Sequence, residues 1–511
     1  MSRFLLLPAL LVCTVFYGQT NLIYKDLPVG KYAVGFQIFT LTDDTRIVQP
    51  EFNYLGEKTE GDRRKRITVH LWYPAITGQK KLRYEDYCYN SILKTTNETI
   101  DANQKSGQIN GKRRSVEGWF GKTSDDDWRK LLETPMLAYV DAMPLKEKFP
   151  LLIGMLRPLS TSVTNEVLAS NGYVVAMICQ DNFASFALAT IDAIPDMRMI
   201  IRHLEKTGRI DPARIGTFGF SGSGFSQVLF AMNDYKIKAV ADIESGIYMD
   251  NLFQNFSNSN YYMPAKLRVP FLHIFSRDLS KQEKFIDEFE HKTKFARRYR
   301  LLLNQPALHH WDFASEGYTS AIYLHNRGDQ KENIRQCFEI ATYYLLHFFN
   351  AHLKNDKQSI AFLFSKPAIG TRLPSLWDIS ILTASKPAPD RTEFEYIVRT
   401  KGVDQAISIV RNTIREDTLT NLLQSFTLNG LGYNFLNEKK YKEAIEIFKL
   451  NTELHPTNPN LFDSLAEGYE TSGDKEKART TSGIVMQLLS SKSSLTDAEK
   501  GLKQNAEKRL N

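Results

Sequence analysis

Between residues 149 and 352, short continuous apolar runs alternate with segments of helical spacing, and this alternation limits the fold more than any other feature of the chain. The runs fall at 150–155, 173–178, 214–220, 239–243, 270–275 and 298–303. Between them, 165–170, 189–206 and 225–232 read as helices, with Ile191, Ile194, Ile201 and Leu204 on one face of the second, and 333–352 reads as a long amphipathic helix. A strand that is apolar at every position is buried on both faces, as in a parallel sheet covered by helices. The expected fold class is therefore α/β, a mostly parallel sheet with helices on both faces. In such sheets chemistry collects at the carboxyl ends of the strands.

Upstream, 31–41 and 66–73 alternate in polarity like two strands of a hairpin, joined by a long loop rich in Gly, Asp, Asn and Arg. The polar stretch 77–147 carries Trp119, Trp128 and a predicted helix over 126–140, and reads as an insertion over one end of the sheet. Downstream, 354–391 carries Pro367, Pro374, Pro387 and Pro389 with little periodicity, a linker or wrapping segment. Residues 392–495 are helical and repetitive. Leu431, Gly432, Phe435, Ala444, Phe448 and Pro456 fall at the positions of the 34-residue tetratricopeptide pattern. Leu465, Ala466, Tyr469 and Ala478 follow in register, and Ala406 and Val410 suggest an earlier, weaker unit. Such repeats offer a surface for a protein partner, and 496–511 is left as a tail.

At the N-terminus, one positive charge (Arg3) precedes an apolar run at 4–17 and then Gly18-Gln19-Thr20, the form of a secretory signal peptide over 1–18. The first domain is then 19–353, and the protein is expected in the periplasm or outside the cell. Pro8 argues against a buried strand, and Val12 before Cys13 is a poor match to a lipoprotein anchor. No later segment is long and apolar enough to span a membrane. The net charge of +7 sits partly in short runs at 63–66 and 112–114, read as solvated loop charge among turn residues. No nucleic-acid-reading motif accompanies it, so nucleic acid is not an expected partner. Beyond the signal, Cys88, Cys179 and Cys337 are odd in number and widely spaced, which argues against a disulfide framework or a zinc site.

The chemistry is concentrated at Ile215-Gly216-Thr217-Phe218-Gly219-Phe220-Ser221-Gly222-Ser223-Gly224. A buried strand runs into a small-residue turn and a helix follows, the setting of a nucleophile elbow. The match is Gly-x-Ser-x-Ser, with Gly224 one place beyond the usual last glycine. A serine hydroxyl needs a base within hydrogen-bond reach. The order serine, acid, histidine places that base after the last strand, at His310 or His309. Two carboxylates follow strands and suit the acid, Glu244 after 239–243 and Asp278 after 270–275. Backbone N–H groups of Gly222 and of Leu156 or Arg157 would form the oxyanion hole, although Pro158 beside them has no N–H.

Lys31-Tyr32-Ala33-Val34-Gly35-Phe36, Asp43-Asp44-Thr45-Arg46 and Val69-His70-Leu71-Trp72-Tyr73-Pro74-Ala75 resemble the entry to the platelet-activating-factor acetylhydrolase-like members of the α/β-hydrolase superfamily, relatives of the dienelactone hydrolases. Phe149-Pro150-Leu151-Leu152-Ile153, Leu168-Ala169-Ser170-Asn171-Gly172-Tyr173-Val174-Val175 and the Ser221 elbow continue the likeness, over roughly 30–352. His310-Trp311-Asp312-Phe313 is similar to that family's segment after the last strand and favours His310 over His309. The resemblance places the acid after the sixth strand, where Asp242-Ile243-Glu244-Ser245-Gly246 aligns with glutamate for aspartate; this prefers Glu244 to Asp278. It implies a serine hydrolase acting on a small-molecule or lipid ester, with no metal or organic cofactor, and the insertion over 77–147, through Trp119 and Trp128, is expected to shape a pocket for an apolar part of that ester. Ser223, the loop Leu156-Arg157-Pro158 and Glu244 depart from the family pattern; the altered elbow and loop motivate one alternative, an inactive binding scaffold, and a serine peptidase is a second, because the same triad cleaves amides.

Overall fold

A computed structural model describes residues 21–48, 51–52, 55–58, 61–155, 158–179, 186–245, 250–276, 289–290, 292–293, 297–305, 308–372, 374–383, 389–413 and 421–511. The predicted hairpin strands are Ala33–Ile47 (β1) and Arg64–Ala75 (β2), antiparallel with Phe36 opposite Trp72. The insertion follows as Lys81–Arg83 (β3), Tyr84–Tyr89 (α1), Ala102–Phe120 (α2), Asp125–Glu133 (α3) and Pro135–Val140 (β4). Alternating strands and helices come next: Phe149–Met155 (β5), Pro158–Ser170 (α4), Val174–Cys179 (β6), Phe186–Thr207 (α5), Ile210–Phe220 (β7), Gly222–Asn233 (α6), Ile237–Ile243 (β8), Asp250–Ser257 (α7) and Phe271–Ser276 (β9). Arg297–Leu303 (β10) leads to a tight turn at His310–Phe313 and then Ser315–Tyr323 (α8), Lys331–Leu353 (α9) and Lys357–Ser365 (α10). Trp377–Thr383 (β11) closes the sheet.

The eleven strands lie in the order β11-β10-β9-β8-β7-β5-β6-β2-β1-β4-β3. β5, β6, β7, β8 and β9 are joined by parallel pairings, whereas β2 runs antiparallel to both β1 and β6. Every residue of β5 and β6 is buried, as continuous apolar runs require. The mixed sheet covered by helices is consistent with the expected α/β-hydrolase class. Its core extends from Ile23 to Trp377 and includes Trp72, Phe218, Phe220 and Tyr344.

Two local expectations are corrected. The helix predicted over 126–140 stops at Glu133, and 135–140 is a strand parallel to β1, with Ala138 beside Val34. Pro135 supplies the reason, since a residue before proline is driven out of the helical region, and Thr134 sits at φ −62°, ψ 124°. The basic run 112–114, read as loop charge, lies inside α2. That helix begins at a reciprocal cap in which Asp101 accepts from the Gln104 N–H and the Gln104 side chain accepts from the Asp101 N–H. Gly107, Asn110 and Gly111 within it had given the segment a turn-like texture.

A second compact unit gathers 382–511 with the short segments 263–269 and 288–298, which the sequence reading had placed in the first domain. Its helices are Arg391–Lys401 (α11), Val403–Thr413 (α12), Ser425–Asn437 (α13), Tyr441–Leu454 (α14), Pro459–Ser472 (α15), Lys475–Ser490 (α16) and Asp497–Leu510 (α17). Phe448 is fully buried in its core, with Gly432 and Gly468 against its ring; a Cβ at Gly432 would sit 2.4 Å from that ring. No helix among the described residues is long and apolar enough to cross a membrane. No disulfide links Cys88, Cys179 and Cys337, all of them buried.

Candidate active site

Strand β7 is buried from Ile215 through Phe220, and the chain then turns sharply into α6. Ser221 stands at the turn with φ +56° and ψ −138°, a region that L-residues occupy at a cost of about 1–3 kcal/mol. Hydrogen bonds hold it there: the Ser221 N–H donates to the Ile243 carbonyl at 2.9 Å, and the Gly224 N–H donates to the Ser221 carbonyl at 2.9 Å. The turn also needs two close approaches. A Cβ at Gly219 would fall 2.7 Å from the Ser223 carbonyl group, and one at Gly224 would fall 2.7 Å from Ser245 Cβ. Gly224 therefore gives the close approach expected of a glycine one place earlier.

Ser223, the departure from the usual elbow pattern, braces the turn. Its hydroxyl donates to the Phe220 carbonyl at 2.7 Å and accepts from the Phe220 N–H at 3.0 Å. Gly222 opens α6, so its N–H has no acceptor within the helix and lies at the positive end of the helix dipole.

His310 comes to this point from the far side of the sequence. Its Nε2 is 2.8 Å from Ser221 Oγ. The preceding strand β10 and the tight turn at 310–313 position it. In that turn the His309 N–H donates to Asp312 Oδ2 at 2.7 Å and the Asp312 N–H donates to the His309 carbonyl at 2.8 Å. Asp312 is thus a buried cap, and its spacing of three from His309 was the sequence signal for it. The imidazole lies against Phe220, rings 4.8 Å apart and 24° from parallel, and meets Trp311 edge-on at 5.7 Å. Burial, with a smaller contribution from His309, pushes its pKa down to about 4.

Glu244 follows β8 directly, one residue beyond the carbonyl that holds the Ser221 N–H. Its backbone is left-handed, φ +49°, and its own N–H donates to the Ile274 carbonyl at 2.7 Å. The carboxylate accepts from the Ser276 N–H and hydroxyl, each at 2.8 Å. Asp278, Leu156 and Arg157 lie outside the described residues. Two residues before Glu244, the fully buried Asp242 carboxylate is bonded to His273 Nδ1 and accepts from the Ser245 hydroxyl at 2.6 Å. That network supports the wall on which Gly224 rests.

No family model matches the chain, and no curated protein sequence matches it. One solved structure similar to it is a ferulic acid esterase from Streptomyces cinnamoneus. The two share 18% identity at a TM-score of 0.48, over 70% of this chain and 98% of that chain. Likeness at that level says nothing of activity, and the geometry around Ser221 stands by itself. Elsewhere, a cleft of about 480 Å³ between 41–46 and 195–206 is lined by Arg46, Arg198, Arg202 and Lys206; neither Ser221 nor His310 reaches it.

The contact missed by sequence reasoning is on the other side of Trp311. Trp119, from α2, stacks on it with rings 4.1 Å apart and 10° from parallel. Trp128, paired with Trp119 in the sequence reading as a shaper of the substrate pocket, is instead buried in the core on α3.

Proposed function

We propose that the protein is an exported serine hydrolase that cleaves carboxylic esters through an acyl-enzyme. The observation that carries this reading is the 2.8 Å contact between Ser221 Oγ and His310 Nε2 at a left-handed turn that opens a helix. His310, kept neutral by burial, takes the Ser221 proton as Oγ attacks the ester carbonyl carbon. The carbonyl oxygen becomes an oxyanion facing the Gly222 N–H, with a second donor assigned to the loop at Leu156 or Arg157. His310 then returns the proton to the leaving alcohol as the C–O bond breaks. Water, deprotonated by His310, attacks the acyl-enzyme; the acid leaves and Ser221 regains its proton. Glu244 is assigned to hold the imidazolium, with Asp278 as the alternative acid. The signal reading of 1–18 makes the site of action periplasmic or extracellular. The helical unit is read as tetratricopeptide-type repeats that bind a protein partner.

Hydrolysis of short-chain p-nitrophenyl esters by the full chain tests the catalytic part. Ser221→Ala and His310→Ala are each expected to lower kcat by roughly 10³-fold or more while melting like the wild type. A Ser221→Ala protein that keeps wild-type turnover would sink the proposal.

A further inference from the structure

Helix α2 presents three consecutive turns of one face toward the segment that bears the base. Lys112, Val116, Trp119 and Phe120 recur at helical spacing, and Val116 and Phe120 are buried. At one end of this face Trp119 covers Trp311, the residue after His310, in a near-parallel stack at 4.1 Å. Two turns earlier, Lys112 Nζ lies 3.3 Å from Glu316 Oε1. Glu316 is fully buried at the start of α8, and the same oxygen accepts from the Ser160 hydroxyl at 3.0 Å. The insertion therefore grips the stretch 311–316 at both ends of one helical face, immediately beyond the histidine.

The aromatic contacts continue inward. Trp311 meets Phe220 edge-on at 5.7 Å, and Phe220 carries the His310 ring on its face and immediately precedes Ser221 in the chain. Trp119, Trp311, Phe220 and His310 form one chain of ring contacts, two stacked pairs joined edge-on, whose ends are the insertion and the Ser221–His310 pair. An indole laid flat over an indole removes apolar area from water and restricts tilt, because the offset-parallel geometry is lost on rotation. The neighbouring turn is short and fixed by Asp312, so a displacement of Trp311 carries His310 with it.

We propose that Trp119 is a positioning residue: through Trp311 it holds the His310 imidazole in register with Ser221, which makes the insertion part of the catalytic apparatus. This rests on the reading of His310 as the base. It replaces the expectation that Trp119 shapes the substrate pocket.

The test is steady-state hydrolysis of p-nitrophenyl acetate, butyrate and hexanoate by wild type, Trp119→Ala, Trp119→Phe and Lys112→Met. Trp119→Ala is expected to lower kcat roughly 10- to 100-fold for all three esters, with KM within about twofold, as misplacement of a reacting group does. Trp119→Phe, which restores a flat ring, is expected to recover most of the loss, and Lys112→Met to lose less than Trp119→Ala, again in kcat. A raised KM or a changed chain-length preference at unchanged kcat would overturn the proposal, and would make Trp119 a wall of the substrate site. A second readout does not need turnover. In protein labelled with ¹³C-histidine, the His310 resonance, assigned by its loss in His310→Gln, is expected to shift in Trp119→Ala and return in Trp119→Phe. An unmoved resonance would overturn the positioning role. A wild type with no turnover but a His310 resonance that responds to Trp119 would count against the hydrolase reading alone.

Discussion

Ser221 is held at positive φ by the Ile243 carbonyl, the Gly224 N–H and the tight packing at Gly219 and Gly224, and the imidazole that faces it is desolvated by Phe220 and Trp311. A base must be neutral to accept a proton, so on the proposed role of His310 activity is lost as pH falls through its pKa. With that pKa pushed down from 6.5 to about 4, kcat/KM is expected to stay level below pH 6.5, and its acid limb to fall well under that of an exposed imidazole. A pH–rate profile with its acid limb at 6.5 or above would contradict the burial account. Stability carries the same sign. Folded His310 has the lower pKa, so the unfolded chain binds more protons between about 4 and 6.5; the contribution is full above 6.5 and declines through that window as pH falls. His70, fully buried and pushed down to about 3 by desolvation, adds to the decline in the same direction. The meeting of Ser221 and His310 was legible because a small-residue turn between strand and helix has a local pattern and the proposed base has an expected place in chain order. The role of Ser223 was not, since a serine in a glycine position looks like damage until its hydroxyl is seen to cap Phe220 on both backbone groups.

Among the elements, α4 organises the region beside the site through one buried carboxylate. Glu166 is fully buried and accepts from the hydroxyls of Tyr24 and Tyr87 and from the N–H groups of Leu137 at 2.8 Å and Ala138 at 3.2 Å. It thus ties α4 to the first described residues of the chain, to α1 and to β4. Desolvation raises its pKa, and the four donors oppose that shift. Glu166→Gln turns one acceptor into an amide donor facing donors, and is expected to cost about 1–3 kcal/mol in denaturant-induced unfolding. An unchanged midpoint would mean that the cluster does not tie these elements together. Nothing in the sequence pointed to Glu166, because its partners lie at 24, 87 and 137–138 and only the folded sheet assembles them. The strands β5 to β10 and the helices α4, α5, α6 and α9 were legible from texture, since continuous burial leaves continuous apolar runs and a buried helical face recurs at helical spacing; α7 and α8, short and without such a run, were not read. Strand β4 was misread because apolar spacing at Leu131, Met136 and Val140 does not separate a helix from a helix followed by a strand; Pro135 was the sign.

At the scale of the whole molecule, the described residues include two large apolar cores that are separate in sequence, and a smaller cluster at Val485, Leu489 and Ala506. The first runs from Ile23 to Trp377, and the second, from Phe394 to Ala478, is centred on Phe448. Phe448→Ala removes the ring that Gly432 and Gly468 approach, at an expected cost of about 3–5 kcal/mol confined to the helical unit. Calorimetry should then show a lowered transition for that unit while ester hydrolysis at low temperature stays at the wild-type rate. Equal loss of both would mean that the two units unfold as one. The helical character of the described residues within 392–495 was plain from apolar spacing, but the recruitment of 263–269 and 288–298 to that unit was not, since both lie far from it in the chain and carry no repeat pattern.

Peptide mass spectrometry of the purified full chain after treatment with a fluorophosphonate tests Ser221 as the nucleophile most directly. One stoichiometric adduct is expected, on the peptide containing Ser221, and none on Ser221→Ala. An adduct on another serine, or a folded wild type that carries none, would contradict that role.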